Sequence, residues 1–278
     1  MVLTNRANAD DSRRDKFRGN LAAVFRMLFV ILVPIFLCGA KSVPDGGCDE
    51  PPADAGPSDD SDRSDDHDPL VCLSPGHPSR PGDKQYEAVL NRRVAYKLRA
   101  LLLRAGYDVV LTTDDLTDET LFAPGFDSED KTIRERLEVK TPDEKAEICN
   151  DAGADYVISI HHNYAYNPDI NYTLVFYGAD ESGEPNCEEA KRWAQSTAHF
   201  LRRVMKTDGS RTYSDMERLG FSLSILENSK APAILTEAAF YSNPRERKRL
   251  SSDAYLAAEA QAIFDAFHAH YQENATSP

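Results

Sequence analysis

The chain has 278 residues, a formal net charge of −14, 41% hydrophobic residues and five cysteines. That acidic balance disfavours binding to nucleic acid through its phosphates, and no basic recognition helix or aromatic-and-basic RNA-binding stretch occurs. The cysteines form no CxxC pair, which argues against a structural zinc ribbon and a thioredoxin-type redox site.

Met27 to Ala40 is an almost uninterrupted apolar run of fourteen residues, shorter than the roughly 20 that a spanning helix needs. Arg13, Arg14, Lys16, Arg18 and Arg26 precede it, and Cys38-Gly39-Ala40 supplies a small-residue exit. Residues 1–40 therefore read as a signal peptide, with an uncleaved membrane anchor as the alternative. Residues 41–69 carry ten acidic side chains against Lys41 and Arg63 and almost nothing to bury, so they read as an acidic disordered linker. The composition changes at Pro69, leaving 70–278 as one folded domain.

Within that domain Leu70 to His77 opens as a buried strand, and Val89, Leu90, Val94, Leu98, Leu101 and Leu102 mark a helix over Glu87 to Ala105, closed by Gly106. Tyr107 to Leu111 is the second strand, and Asp114 to Thr141 an acidic surface excursion. Thr141 caps a helix over Pro142 to Ala152, and Gly153 ends it before the strand Tyr156 to Asn163. Asn171 to Tyr177 alternates as a strand, and Cys187 to Lys206 is an amphipathic helix. Leu219 to Leu226 fits strand or helix, Ala233 to Glu237 is a strand, Phe240 to Pro244 a loop, and Tyr255 to Tyr271 a closing helix. Strands alternating with helices imply an α/β three-layer sandwich, a mostly parallel twisted sheet flanked by helices.

Three of the apolar runs stop at ionisable residues: the first at His77, the second at His161-His162-Asn163, the third at Glu237. Open α/β sheets place their ligand sites at the carboxyl ends of strands, so these residues should converge. Glu87, near the start of the first helix, lies close enough in sequence to face the same crevice. A glutamate there ordinarily sits in solvent and complements the helix dipole, and a histidine in a Gly-Pro loop is ordinarily exposed. His161 and Glu237 are harder to dismiss, because an ionisable group ending a buried strand needs a partner or a metal. Two histidines and one carboxylate form a catalytic zinc set. His162 points away from His161 along the strand and reads as structural, while His199, His268 and His270 read as surface residues. Spacing assigns no disulfide among Cys72, Cys149 and Cys187.

The set resembles the zinc-dependent N-acetylmuramoyl-L-alanine amidases of the type 3 family over nearly all of Leu70 to Tyr271. The resemblance rests on Pro75-Gly76-His77, on Glu87 followed by Asn91, and on Gly106-Tyr-Asp-Val-Val-Leu-Thr112. It continues through Asn150, Ala154-Asp-Tyr-Val-Ile-Ser-Ile-His161-His-Asn163 and Ala231-Pro-Ala-Ile-Leu-Thr-Glu237-Ala-Ala-Phe240-Tyr-Ser-Asn243. It implies zinc ligands at His77, Glu87 and His161, a catalytic carboxylate at Glu237, and peptidoglycan as substrate. The bond cut would join the lactyl group of N-acetylmuramic acid to the first L-alanine of the stem peptide. Such an enzyme is exported and works in the periplasm or cell envelope, attached to the membrane if the N-terminal segment is retained.

Ser74, Pro78 and Ser79 depart from the family's usual aspartate before Pro-Gly-His and two glycines after it, and His162 stands where a small residue is common. Loss of a supporting aspartate is expected to weaken the metal site. Tyr164, Tyr166 and Tyr172 offer faces for sugar stacking near the site, or plain packing. No surplus segment lies between His161 and Glu237, so no displacing activator is expected. The competing readings are a zinc hydrolase of the same architecture acting on another amide, and a catalytically inactive wall-binding module. The glutamate at position 237 weighs against the second.

Overall fold

The computed structural model describes residues 68–77, 83–113 and 140–275. The expected leader, most of the linker and the acidic excursion lie outside these residues. Among them, no helix is long and apolar enough to cross a membrane.

Strand β1 (Leu70–Pro75) leads to α1 (Asp83–Arg104) and β2 (Asp108–Leu111). After α2 (Pro142–Asp151) come β3 (Tyr156–Asn163), β4 (Thr173–Tyr177), α3 (Glu188–Val204) and β5 (Ser210–Ser214). Two short helices, α4 (Asp215–Leu219) and α5 (Ser224–Glu227), precede β6 (Ala233–Phe240), α6 (Pro244–Leu250) and α7 (Asp253–Ala275). Thr141 starts α2 with a full capping box: its hydroxyl accepts from Glu144 N at 3.2 Å while the Glu144 carboxylate accepts from Thr141 N at 2.6 Å.

The six strands form one sheet in the order β2-β1-β3-β6-β4-β5. Every neighbouring pair is parallel except β4 with β6. Because β1, β3 and β6 run side by side in one direction, their carboxyl ends share one edge, and the residues that end them are brought together.

Period-two alternation sorts the strand residues between two cores. Val71, Leu73, Ile158 and Ile160 pack on one face against Leu90, Val94 and Leu98 of α1, Trp193 of α3 and Phe267 of α7. Cys72, Val157, Leu174 and Leu235 pack on the other with Cys149 of α2 and Ile225 of α5. This is the expected three-layer arrangement. Cys72 and Cys149 are joined by a disulfide across a sequence separation of 77 residues, tying α2 to the sheet. Cys187 caps α3, its sulfur accepting from Ala190 N at 3.4 Å, and is also disulfide-bonded.

Several expectations need correction. Leu219 to Leu226 is neither one strand nor one helix, because Gly220 in the left-handed conformation ends α4 and α5 follows as a separate turn. Strand β5 was not anticipated: Ser-Arg-Thr-Tyr-Ser lies at the sheet edge, half covered, and has no apolar run to announce it. The loop expected at Phe240 to Pro244 is the turn between β6 and α6, but the helix it leads into was not anticipated; Asn243 caps that helix, its Oδ1 accepting from Arg245 N and Glu246 N. His270 is not a surface residue. It is 5% exposed, stacks on Trp193 and bonds Glu189 Oε1 at 3.0 Å.

Candidate metal centre and active site

The chain leaves β1 at Gly76, whose N donates to Ile160 O at 2.8 Å and so extends the pairing with β3 by one residue. His77 follows with φ of 55°, a left-handed backbone that a histidine seldom adopts. Two buried side chains of α1 hold this turn: Asn91 Nδ2 donates to Gly76 O at 3.1 Å, and Arg92 donates to His77 O at 3.4 Å. From the other side Lys145 Nζ donates to Pro75 O at 2.5 Å.

The turn aims His77 at Glu87 and His161. His77 Nε2 lies 3.4 Å and His161 Nδ1 3.3 Å from Glu87 Oε1. The two imidazoles stand edge to face with centroids 4.9 Å apart. Glu87 is 3% exposed, so it is not the solvated glutamate usual near a helix start. One donor atom from each of His77, Glu87 and His161 falls within a span of 4.8 Å.

Glu237 is the register partner of His161 across β3 and β6. Its Oε2 is buried without a hydrogen-bond partner. Burial raises the pKa of Glu87, an effect opposed by His77, His162 and the Asn91 amide. Burial, and then the neighbouring Glu87, hold the Glu237 carboxyl well above the usual carboxylate range. Two crowded buried carboxylates, one with an orphaned oxygen, and two imidazoles at ligand spacing suit a divalent cation, and this nitrogen-and-oxygen donor set suits zinc.

His162 lies on the opposite face of β3, as its position in the strand implies, and is 1% exposed. Its N donates to Glu87 Oε1 at 3.3 Å, and its ring lies between Asn91 and Glu259. Sequence reasoning placed Asn91 only in a motif and missed Arg92, Lys145 and Glu259. Spacing signalled the first, because residues four apart on a helix are neighbours, but the rest depend on contacts distant in sequence. Ser74, in place of the family's usual aspartate, is buried in β1, and its Oγ accepts from Thr112 Oγ1 at 3.4 Å. Pro78 and Ser79 lie outside the described residues.

Of the tyrosines expected near the site, Tyr164 and Tyr166 are 42% and 69% exposed, with ring centroids 5.8 Å apart. Tyr172 does not offer a sugar-stacking face: it packs in the core against Phe240, ring centroids 4.8 Å apart.

The family model described as N-acetylmuramoyl-L-alanine amidase matches residues 71–269. No curated protein matches the chain in sequence. Among solved structures the fold is similar to the N-acetylmuramoyl-L-alanine amidase AmiC2 of Nostoc punctiforme, at 20% identity and a TM-score of 0.57, covering 73% of this chain and 97% of that one. It is similar to the N-acetylmuramoyl-L-alanine amidase from Clostridium difficile 630, at 20% identity and a TM-score of 0.57, over 74% and 98% of the two chains. It also resembles the CwlD amidase from Clostridioides difficile, solved in complex with the GerS lipoprotein, at 21% identity and a TM-score of 0.56, over 74% and 100%.

Proposed function

The chain belongs to the N-acetylmuramoyl-L-alanine amidase family, peptidoglycan hydrolases that cut the amide between N-acetylmuramic acid and L-alanine, and we propose that His77, Glu87 and His161 hold its zinc while Glu237 is its catalytic carboxylate. The observation that carries this reading is the grouping of three ligand atoms within 4.8 Å at the edge where β6 presents Glu237 beside His161.

Bound there, zinc supplies Lewis-acid polarisation of the scissile carbonyl and a lowered pKa for the attacking water. Glu237 accepts the water proton at its unpartnered Oε2 as the water oxygen bonds to the lactyl carbonyl carbon. As the carbon–nitrogen bond breaks, Glu237 returns that proton to the departing nitrogen, releasing the stem peptide with a free L-alanine amino group. His77 and His161, braced edge to face, hold their ring nitrogens in place.

Peptidoglycan lies outside the cytoplasm, and the Cys72–Cys149 disulfide is in keeping with an oxidising compartment. We therefore assign 1–40 to export, as a cleaved signal or a retained anchor, and 41–69 to a linker that sets the domain's reach. No displacing activator is needed on this reading: β4, α3 and α5, which lie between the two catalytic strands, contribute buried residues to the two cores. Incubating the purified chain alone with muropeptides and following free stem peptide tests the assignment. Wild-type protein should release it, and Glu237→Ala should bind zinc and sacculi but release none.

A further inference from the structure

Next to the site lies a line of buried polar groups that the proposed chemistry does not use. His162 and Glu259 have fully buried side chains, with His162 Nε2 3.0 Å from Glu259 Oε2. The other ring nitrogen, Nδ1, lies 2.8 Å from Asn91 Oδ1. Asn91 turns its amide nitrogen to two acceptors, Gly76 O at 3.1 Å and Glu87 Oε1 at 3.4 Å. Those acceptors fix the orientation of the amide, because only its NH2 end can donate to both. The amide oxygen therefore faces His162, whose Nδ1 must carry the hydrogen of that bond.

We propose that Glu259, His162 and Asn91 form a relay from α7 through β3 to α1 that fixes the Glu87 carboxylate and the His77 turn, making His162 a positioning residue for the metal site. The inference rests on Glu87 being a metal ligand. His162 bears on Glu87 twice, directly through its backbone N at 3.3 Å and indirectly through Asn91. The same amide restrains Gly76, the residue before His77, so one side chain steadies two of the three ligands. Two apolar residues would fill the space of His162 and Glu259 without the cost of burying ionisable groups. Polar groups placed there specify orientation, which a ligand carboxylate at the end of a flexible side chain needs.

The test is zinc affinity, measured by competition with a chelating dye on the full chain, beside thermal melting of the metal-free protein. The variants are His162→Leu/Glu259→Leu, which removes the buried pair together, and Asn91→Ala, which leaves the pair and cuts its link to Glu87. Each should remain folded while binding zinc about 10- to 100-fold more weakly. Should the double variant fail to fold, Asn91→Ala decides alone. A folded variant with wild-type zinc affinity overturns the relay and leaves the metal site standing. Absence of zinc binding by the wild type overturns both.

Discussion

Gly76 lies against the imidazole of His161 so closely that a Cβ on it would stand 2.1 Å from the ring's Cε1 and 2.2 Å from its Nε2. The backbone of the His77 turn therefore passes over the face of a second proposed ligand with no room for a methyl group. Gly76→Ala should displace the His161 ring and lower stem-peptide release at least about 100-fold, the usual cost of misplacing a reacting group by about 1 Å. The melting temperature should change much less than the activity. A variant with near wild-type turnover would show that His161 need not hold this position.

Glu237→Gln keeps the shape of the side chain and removes its capacity to take a proton. Turnover should fall by about 10²- to 10⁴-fold, the range of general acid–base contributions. Zinc content should be unchanged. Loss of metal along with activity would instead make Glu237 a ligand.

Cys72 and Cys149 close a loop of 77 residues in sequence separation, for which chain entropy gives a stabilisation of about 4 kcal/mol. Cys72→Ala/Cys149→Ala should lose roughly that amount in denaturant unfolding. Activity at 25 °C should persist, because Cys72 lies in the middle of β1 and Cys149 in α2, away from the strand ends that carry His77, His161 and Glu237. An unchanged unfolding midpoint would mean that the reduced chain is already held by its other contacts.

Glu189 accepts from His270 Nε2 at 3.0 Å and Tyr156 Oη at 3.1 Å beneath the packed face of α7. The His270 bond leads in holding its pKa below the usual 4.5, burial opposing it. A depressed carboxylate adds stability above its unfolded pKa and loses it as pH falls through the folded value. Wild type should therefore lose stability as pH drops below about 4.5, whereas Glu189→Gln, weaker by about 1–2 kcal/mol at neutral pH, should lose less over that interval. Parallel acid-unfolding profiles would remove Glu189 from the account.

Tyr164 and Tyr166 stand exposed on the chain just after the strand that carries His161. If they bear on the glycan, Tyr164→Ala/Tyr166→Ala should raise KM for glycan-linked substrate about 2- to 10-fold with little change in kcat. Unaltered KM would leave these rings as packing only.

Much of this arrangement was legible in the sequence, for particular reasons. Buried parallel strands leave uninterrupted apolar runs, and His77, His161 and Glu237 are visible as interruptions at their ends. The strand period also put His162 on the face opposite His161. What escaped depends on pairings distant in sequence. Nothing around Glu259 signals that it meets His162, and Cys72 announces Cys149 no more than Cys187. His270 looked exposed because its partners Trp193 and Glu189 come from α3. Strand β5 escaped because its edge position asks for no apolar residues. Tyr172 misled for the opposite reason, since a polar tip on an aromatic ring reads equally as surface or core.

The most direct measurement is the zinc content of the purified full chain beside that of His77→Ala/His161→Ala, by elemental analysis. About one zinc per wild-type chain, lost in the variant, is the expected result for a three-ligand catalytic site. A wild-type chain without zinc, or equal zinc in both proteins, would contradict the assignment of His77, Glu87 and His161 as the metal centre.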